Sequence, residues 1–156
     1  MVRSCDPVAV EGGMPYEFLE EVAMADVAFH AWGKTLYGLF SAAADAMLDV
    51  MVEEPSSVNP LLERTIAVEE ESEEMLLHSV LEELIYYKDA QSLLLRLDGG
   101  AIESRGDKLF FEGTASGEEI DIERHRMSID VKAVTMHLFR LYRKQDSWHC
   151  TVVLDI

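Results

Sequence analysis

Leu36, Leu39, Phe40, Ala43, Ala44, Met47, Leu48 and Met51 recur at three- and four-residue intervals. That spacing draws one apolar stripe along an α-helix and does not fit the two-residue period of a strand. Thr35, just ahead of the stripe, can cap the helix by accepting a backbone N–H bond. Pro55 stops it, and 55–60 reads as a loop. A helix striped in this way must bury its stripe against another element. Ser72 can cap a second helix, with acidic residues in its first turn favoured by the helix dipole. Its buried side would be Leu76, Leu77, Val80, Leu81, Leu84 and Ile85, ending near Asp89.

The remaining apolar segments have strand character. Two short ones, at 15–21 and 27–32, precede the first helix, and 65–68 lies between the helices. After the second helix come 93–97, 108–115, 130–142 and 147–155, rich in β-branched and aromatic residues. Gly99-Gly100, Gly106-Asp107, Gly117 and Lys144-Gln145-Asp146 supply turns between them, the last closing a hairpin. Two helices followed by a run of strands predict an α+β fold. It is a single compact domain, a mostly antiparallel sheet with two main helices packed on one face. Pro7 and Gly12-Gly13 discourage regular structure, so 1–13 is expected to be a flexible arm and 14–156 the domain. About half the residues are apolar, and a chain of this length buries roughly 70% of its unfolded surface without staples.

Charge bounds the function. Against 30 Asp and Glu stand 13 Lys and Arg, a formal net charge of −17. Nucleic-acid affinity comes from neutralised phosphates and needs a basic patch. This chain repels polyanions and anionic lipid surfaces and attracts cations and basic protein surfaces. A role in nucleic-acid metabolism would therefore run through another protein, with no direct nucleic-acid binding. Cys5 and Cys150 form no disulfide framework, CxxC or Cys-His pattern, and free thiols in a reducing compartment are expected. The start of the sequence lacks a basic region followed by an apolar run, and no apolar stretch approaches the ~20 residues that cross a membrane. A soluble, cytoplasmic protein is expected.

Nucleotide-binding glycine loops, Walker-type loops, GxSxG elbows and HExxH helices are all absent. His30, His78, His125, His137 and His149 are scattered, with none at a metal-like spacing from another. They read as structural or surface residues, with His125 in a polar loop. Among the many carboxylates, two settings stand out. Asp26 lies between Met24-Ala25 and Val27 at the start of a strand, where a charge must be solvated, paired or bound to a cation. The β-branched and apolar run 151–154 leads into Asp155 and the terminal carboxylate of Ile156, so the chain end should be held by a core strand. If Asp26 converges on that end, three anionic groups meet. Such a cluster calls for protons or a cation, and hard oxygen donors favour Ca²⁺, Mg²⁺ or Mn²⁺.

Several stretches resemble the archease family. They include Tyr16-Glu17-Phe18-Leu19-Glu20, Ala25-Asp26-Val27, Ala31-Trp32-Gly33-Lys34-Thr35-Leu36, Gly117-Glu118 with Asp121, Val131-Lys132-Ala133-Val134-Thr135 with His137, and the final Leu154-Asp155-Ile156. The resemblance implies a non-catalytic activator of an RtcB-type tRNA-splicing RNA ligase. Such an activator promotes guanylylation and multiple turnover of the ligase and can broaden its nucleotide use. It also implies a divalent metal, typically calcium, at Asp26, Asp155 and Ile156. Apart from the resemblance, Lys132 is a second candidate contact, although a single Lys in an apolar strand usually snorkels or pairs structurally. The sequence departs from the family where Ala23 and Met24 replace a usual His-Thr or His-Ser pair, and where Met136 replaces a usual Tyr. A small metal-dependent hydrolase using His125 or His137 as base, and a general chaperone-like modulator of nucleic-acid enzymes, are the alternative readings.

Overall fold

The computed structural model describes residues 14–19 and 26–156. The expected arm at 1–13, with Cys5, and the departures at Ala23 and Met24 lie outside those residues. Along the described chain run β1 (Tyr16–Leu19), β2 (Asp26–Gly33), α1 (Leu36–Met51), a 3-10 turn at Pro55–Ser57, β3 (Leu62–Glu70), α2 (Glu73–Gln91), β4 (Leu93–Arg105), β5 (Lys108–Glu119), β6 (Ala133–Lys144) and β7 (Ser147–Asp155).

Thr35 caps α1, its hydroxyl accepting the Gly38 N–H at 2.9 Å. The helix ends at Met51, before Pro55, because Val52 turns extended and bridges to Met127. Ser72 caps α2 by accepting the Met75 N–H, with Glu73 and Glu74 in the first turn and Lys88 in the last, each on the side the helix dipole favours. The left-handed Ser92 (φ 57°) ends it.

The α+β class holds, and the strands divide between two antiparallel sheets: β1-β2-β7-β6 and β3-β5-β4. The apolar side of α1 explains the division. Besides Leu39, Phe40, Met47 and Leu48 it buries Ala42, Ala43, Ala44 and Ala46, too broad a surface for one sheet to cover. The small residues let strands approach closely, and α1 packs on β2 of one sheet and β4 of the other. The large side chains at its centre are fully buried, and each contributes about 1.5–3 kcal/mol of transfer free energy. Tyr16 ties β1 to the same helix, its hydroxyl donating to Asp49 at 2.7 Å.

Two expected turns lie inside strands. Gly99 and Gly100 sit in β4, where the register shifts between Leu97 and Gly100. Gly99, at φ +132°, takes the kink that a bulge needs. Gly117 sits in β5, opposite Leu95 on β4 and Leu62 on β3. Added there, a Cβ would lie 1.7 Å from the Leu94 carbonyl oxygen. Glycine at 117 therefore serves close strand approach, not a turn. The β4–β5 reversal falls at Gly106-Asp107 as expected, with Gly106 at φ +66°. The β6–β7 hairpin closes over Gln145 and Asp146.

α2 packs beside the outer edge of β6. Glu82 accepts the Val134 N–H at 2.7 Å, His78 donates to the Val134 carbonyl at 2.9 Å, and Glu74 accepts the Leu141 N–H at 3.0 Å. These side chains, spaced four residues apart on one stripe, stand in for a missing neighbour strand. That explains why His78 lies off the apolar stripe of its helix.

Gly117→Ala is expected to lower unfolding free energy by about 3 kcal/mol or more, because main chain and not a flexible side chain blocks the new methyl. Gly106→Ala, where the surroundings are open and only the backbone is strained, should cost about 1–2 kcal/mol. Urea unfolding of the two variants checks the order.

Candidate functional site

β2 and β7 pair along their whole lengths, from Gly33 opposite Trp148 to Asp26 opposite Asp155. Phe29 and Ala31 on β2, and Cys150, Val152 and Leu154 on β7, are buried in the core. Strand alternation then turns Asp26, Ala28, His30 and Trp32, with His149, Thr151, Val153 and Asp155, to the opposite face. Asp26 and Asp155 stand directly across from each other on that face, both half-buried. Directly opposed residues bring their Cβ atoms to about 4.5–5.5 Å, and like charges so placed repel. The side chain of Ile156 packs against the core, and the Lys132 main-chain N–H donates to the Asp155 carbonyl at 2.8 Å. Ile156 is therefore an anchored residue next to Asp155. The Lys132 side chain is exposed, just ahead of β6 rather than within it.

All three sequence-predicted residues thus sit at one end of the β2–β7 pair. If they converge, the Asp26 and Asp155 carboxylates would offer hard oxygen donors of the kind Ca²⁺ and Mg²⁺ take. Among the described residues, no group of three or more His, Cys, Asp and Glu side chains could hold a metal ion. A cation at Asp26 and Asp155 would thus draw its further ligands from the chain terminus, main-chain oxygens or water.

The same face carries a pair that spacing along the chain conceals. His30 Nε2 and His149 Nδ1 lie 3.0 Å apart with stacked rings. Tyr142 stacks on the far side of His149. Burial, then the charge of His149, then that of Lys144 lower the His30 pKa from the usual 6.5 to about 4. Burial and Lys144 lower His149 as well. The two are 119 positions apart in the chain, and only laying β2 antiparallel on β7 brings them together. On the core face Cys150 is free, as expected, and burial pushes its thiol up to about 12, leaving it protonated and unreactive.

A second cluster lies at the polar loop 121–125, as expected of His125, whose neighbours are exposed while its own ring is fully buried. Its Nδ1 accepts the Asp121 N–H at 2.9 Å, which puts the ring proton on Nε2, 3.2 Å from Glu118. Glu118, also buried, accepts the Asn59 N–H at 2.6 Å and pairs with Arg124. Burial alone would raise the Glu118 carboxyl; the Asn59 N–H, His125 and Arg124 outweigh it and hold it below the ordinary carboxylate value. His125 has no exposed surface, so its ring has no access to a substrate in solution. The local signal was a Glu six positions before an Arg-His pair, a spacing that lets the segment fold back over the carboxylate.

Because folded His30 refuses a proton that the unfolded chain takes up, stability is full above about pH 6.5 and falls as pH drops toward 4. His30→Gln should flatten the fall across that window relative to the parent protein. Parallel denaturant titrations at pH 7, 6, 5 and 4 measure it, and equal slopes would exclude the assignment.

Comparison with known proteins agrees with this architecture. The model of the Archease protein family (MTH1598/TM1083) matches residues 16–156. The archease of Pyrococcus furiosus is 37% identical over 133 residues, covering 85% of this chain and 93% of its own. That of Methanothermobacter thermautotrophicus is 34% identical over 141 residues, covering 90% and 98%. Among solved structures, Methanobacterium thermoautotrophicum protein 1598 superposes with a TM-score of 0.79 at 33% identity, over 92% of this chain and 99% of that one. An archease from Thermotoga maritima, described as a possible chaperone, shares the fold with a TM-score of 0.57 at 17% identity, over 90% and 98%. With the family model matched across nearly the whole described length and relatives above 30% identity aligned almost end to end, this chain belongs to the archease family.

Proposed function

We propose that this protein activates an RtcB-type tRNA-splicing RNA ligase, promoting its guanylylation and repeated turnover and broadening its nucleotide use. It does so without catalysing a reaction of its own. Asp26, Asp155 and the terminal carboxylate of Ile156 would hold a divalent cation, calcium in the first instance, with magnesium or manganese as substitutes. The observation that carries this reading is the register that sets Asp26 against Asp155 beside an anchored chain end. Two carboxylates opposed in this way repel, and a bound cation reverses the sign of their interaction. When bound, the cation would supply a fixed positive charge on an otherwise acidic surface.

The charge of −17 supports a protein as the immediate partner. A polyanionic RNA would be repelled, whereas a basic RNA ligase would be attracted at long range. Asp26 and Asp155 hold the cation and Ile156 anchors the end. Lys132, whose main chain bonds Asp155 while its side chain stays exposed, offers a cationic contact beside the same site. The chaperone description of the Thermotoga maritima relative is compatible with a broader modulator. A ligase activator differs from that in having one dominant partner.

The test is formation of ligase-bound GMP with this protein present at substoichiometric amounts. Asp26→Asn and Asp155→Asn, which keep side-chain size and remove charge, should reduce stimulation to near the level of the ligase alone while circular dichroism stays unchanged. Undiminished stimulation by both variants would refute the role of the carboxylates. Comparable stimulation of unrelated nucleic-acid enzymes would favour the general modulator.

A further inference from the structure

Each sheet ends in a strand beside α2, β6 in one and β3 in the other, and the helix treats the two edges differently. Toward β6 it presents Glu74, His78 and Glu82, bonded to the main chain of Leu141 and Val134. β3 receives no such cover. Among the described residues, the one side chain bonded to the β3 main chain is that of Arg64, on the Glu63 carbonyl. From the helix, Ser79 and Gln91 reach only side chains, those of Glu70 and Arg64. In an antiparallel ladder, alternate residues of an edge strand turn both N–H and C=O away from their partner. Beyond residue 63, the outer edge of β3 therefore keeps a row of main-chain donors and acceptors without partners among the described residues.

A groove of about 540 Å³ lies between this edge and α2. Val68, Met75 and Tyr86 give it an apolar lining, and Tyr86 is 56% exposed. Glu69, Glu70, Glu82 and Glu83 line it too, and among the described residues no lysine or arginine does. An edge this open is an aggregation hazard unless charge or cover protects it. Here the glutamates repel a second copy of the same acidic chain, and equally an RNA strand, while leaving the main chain accessible to a segment of opposite charge.

We infer that this groove is a docking seat for an extended, lysine- and arginine-rich segment of a partner protein, which adds as a fourth strand to the free edge of β3. Main-chain bonds to β3 supply affinity. The alternation of side chains supplies selection, with basic residues against the glutamates and apolar residues over Val68, Met75 and Tyr86. The inference rests on edge, groove and charge, and stands whether or not the partner is the ligase proposed above.

Titrating the isotopically labelled protein with the peptide acetyl-Lys-Val-Arg-Val-Lys-Val-Arg-amide, followed by amide NMR shifts, tests it. The shifts should concentrate in 64–70 and 75–86. Glu69→Lys/Glu83→Lys should weaken binding at least about tenfold, whereas Glu53→Lys/Asp107→Lys, an equal change in net charge away from the groove, should alter it less than about twofold. The spectra also report that both variants remain folded. Equal weakening by the two pairs would reduce the effect to diffuse charge and overturn the inference. So would shifts spread outside the groove, or self-association of the free protein through these residues.

Discussion

The antiparallel pairing of β2 with β7 is the constraint on which the candidate site depends. It lies at the centre of the four-stranded sheet, so both strands are hydrogen-bonded on both sides. Its inner face puts Phe29 and Ala31 with Cys150, Val152 and Leu154 into the core. A slip of one residue would exchange the faces, bringing charged and imidazole side chains into the core and Phe29 out of it. Register is therefore set by apolar burial along the strands, and the positions of Asp26 and Asp155 at their ends follow from it. The repulsion between the two carboxylates is small beside the apolar burial that enforces their approach.

The same pairing holds β7 and the residue that follows it in place. Here the last strand is flanked by β2 and β6, Ile156 packs on the core, and the Lys132 main chain bonds the Asp155 carbonyl. Around this centre the family identity, the α+β architecture and the paired carboxylates fit one another. The segment preceding β6 takes part as well, since Lys88 joins it to α2 through a 2.7 Å ion pair with Asp130.

Much of this was legible in the residues because it is written in local periodicity. The stripe on α1, the caps at Thr35 and Ser72 and the run into Asp155 each need only a few neighbouring positions to be read. What was hidden depends on pairing between distant segments. Gly99-Gly100 and Gly117 look like turns until β5 is laid between β3 and β4, where they become a bulge and a close-approach site. His30 and His149 look solitary until β2 meets β7. His125 lies in the polar loop that its sequence suggests, but its burial against Glu118 depends on that loop folding back over β5. The division into two sheets was likewise invisible, because hydrophobic periodicity records which face a strand buries and not which strand lies beside it.

The most direct measurement is the anomalous diffraction of crystals grown with calcium, which locates the ion without reference to activity. The account predicts one peak between β2 and β7, about 2.3–2.6 Å from oxygens of Asp26, Asp155 and the terminal carboxylate of Ile156, and no such peak in Asp155→Asn crystals. Saturating calcium with no peak at these carboxylates, or a peak that persists unchanged in the variant, would contradict it.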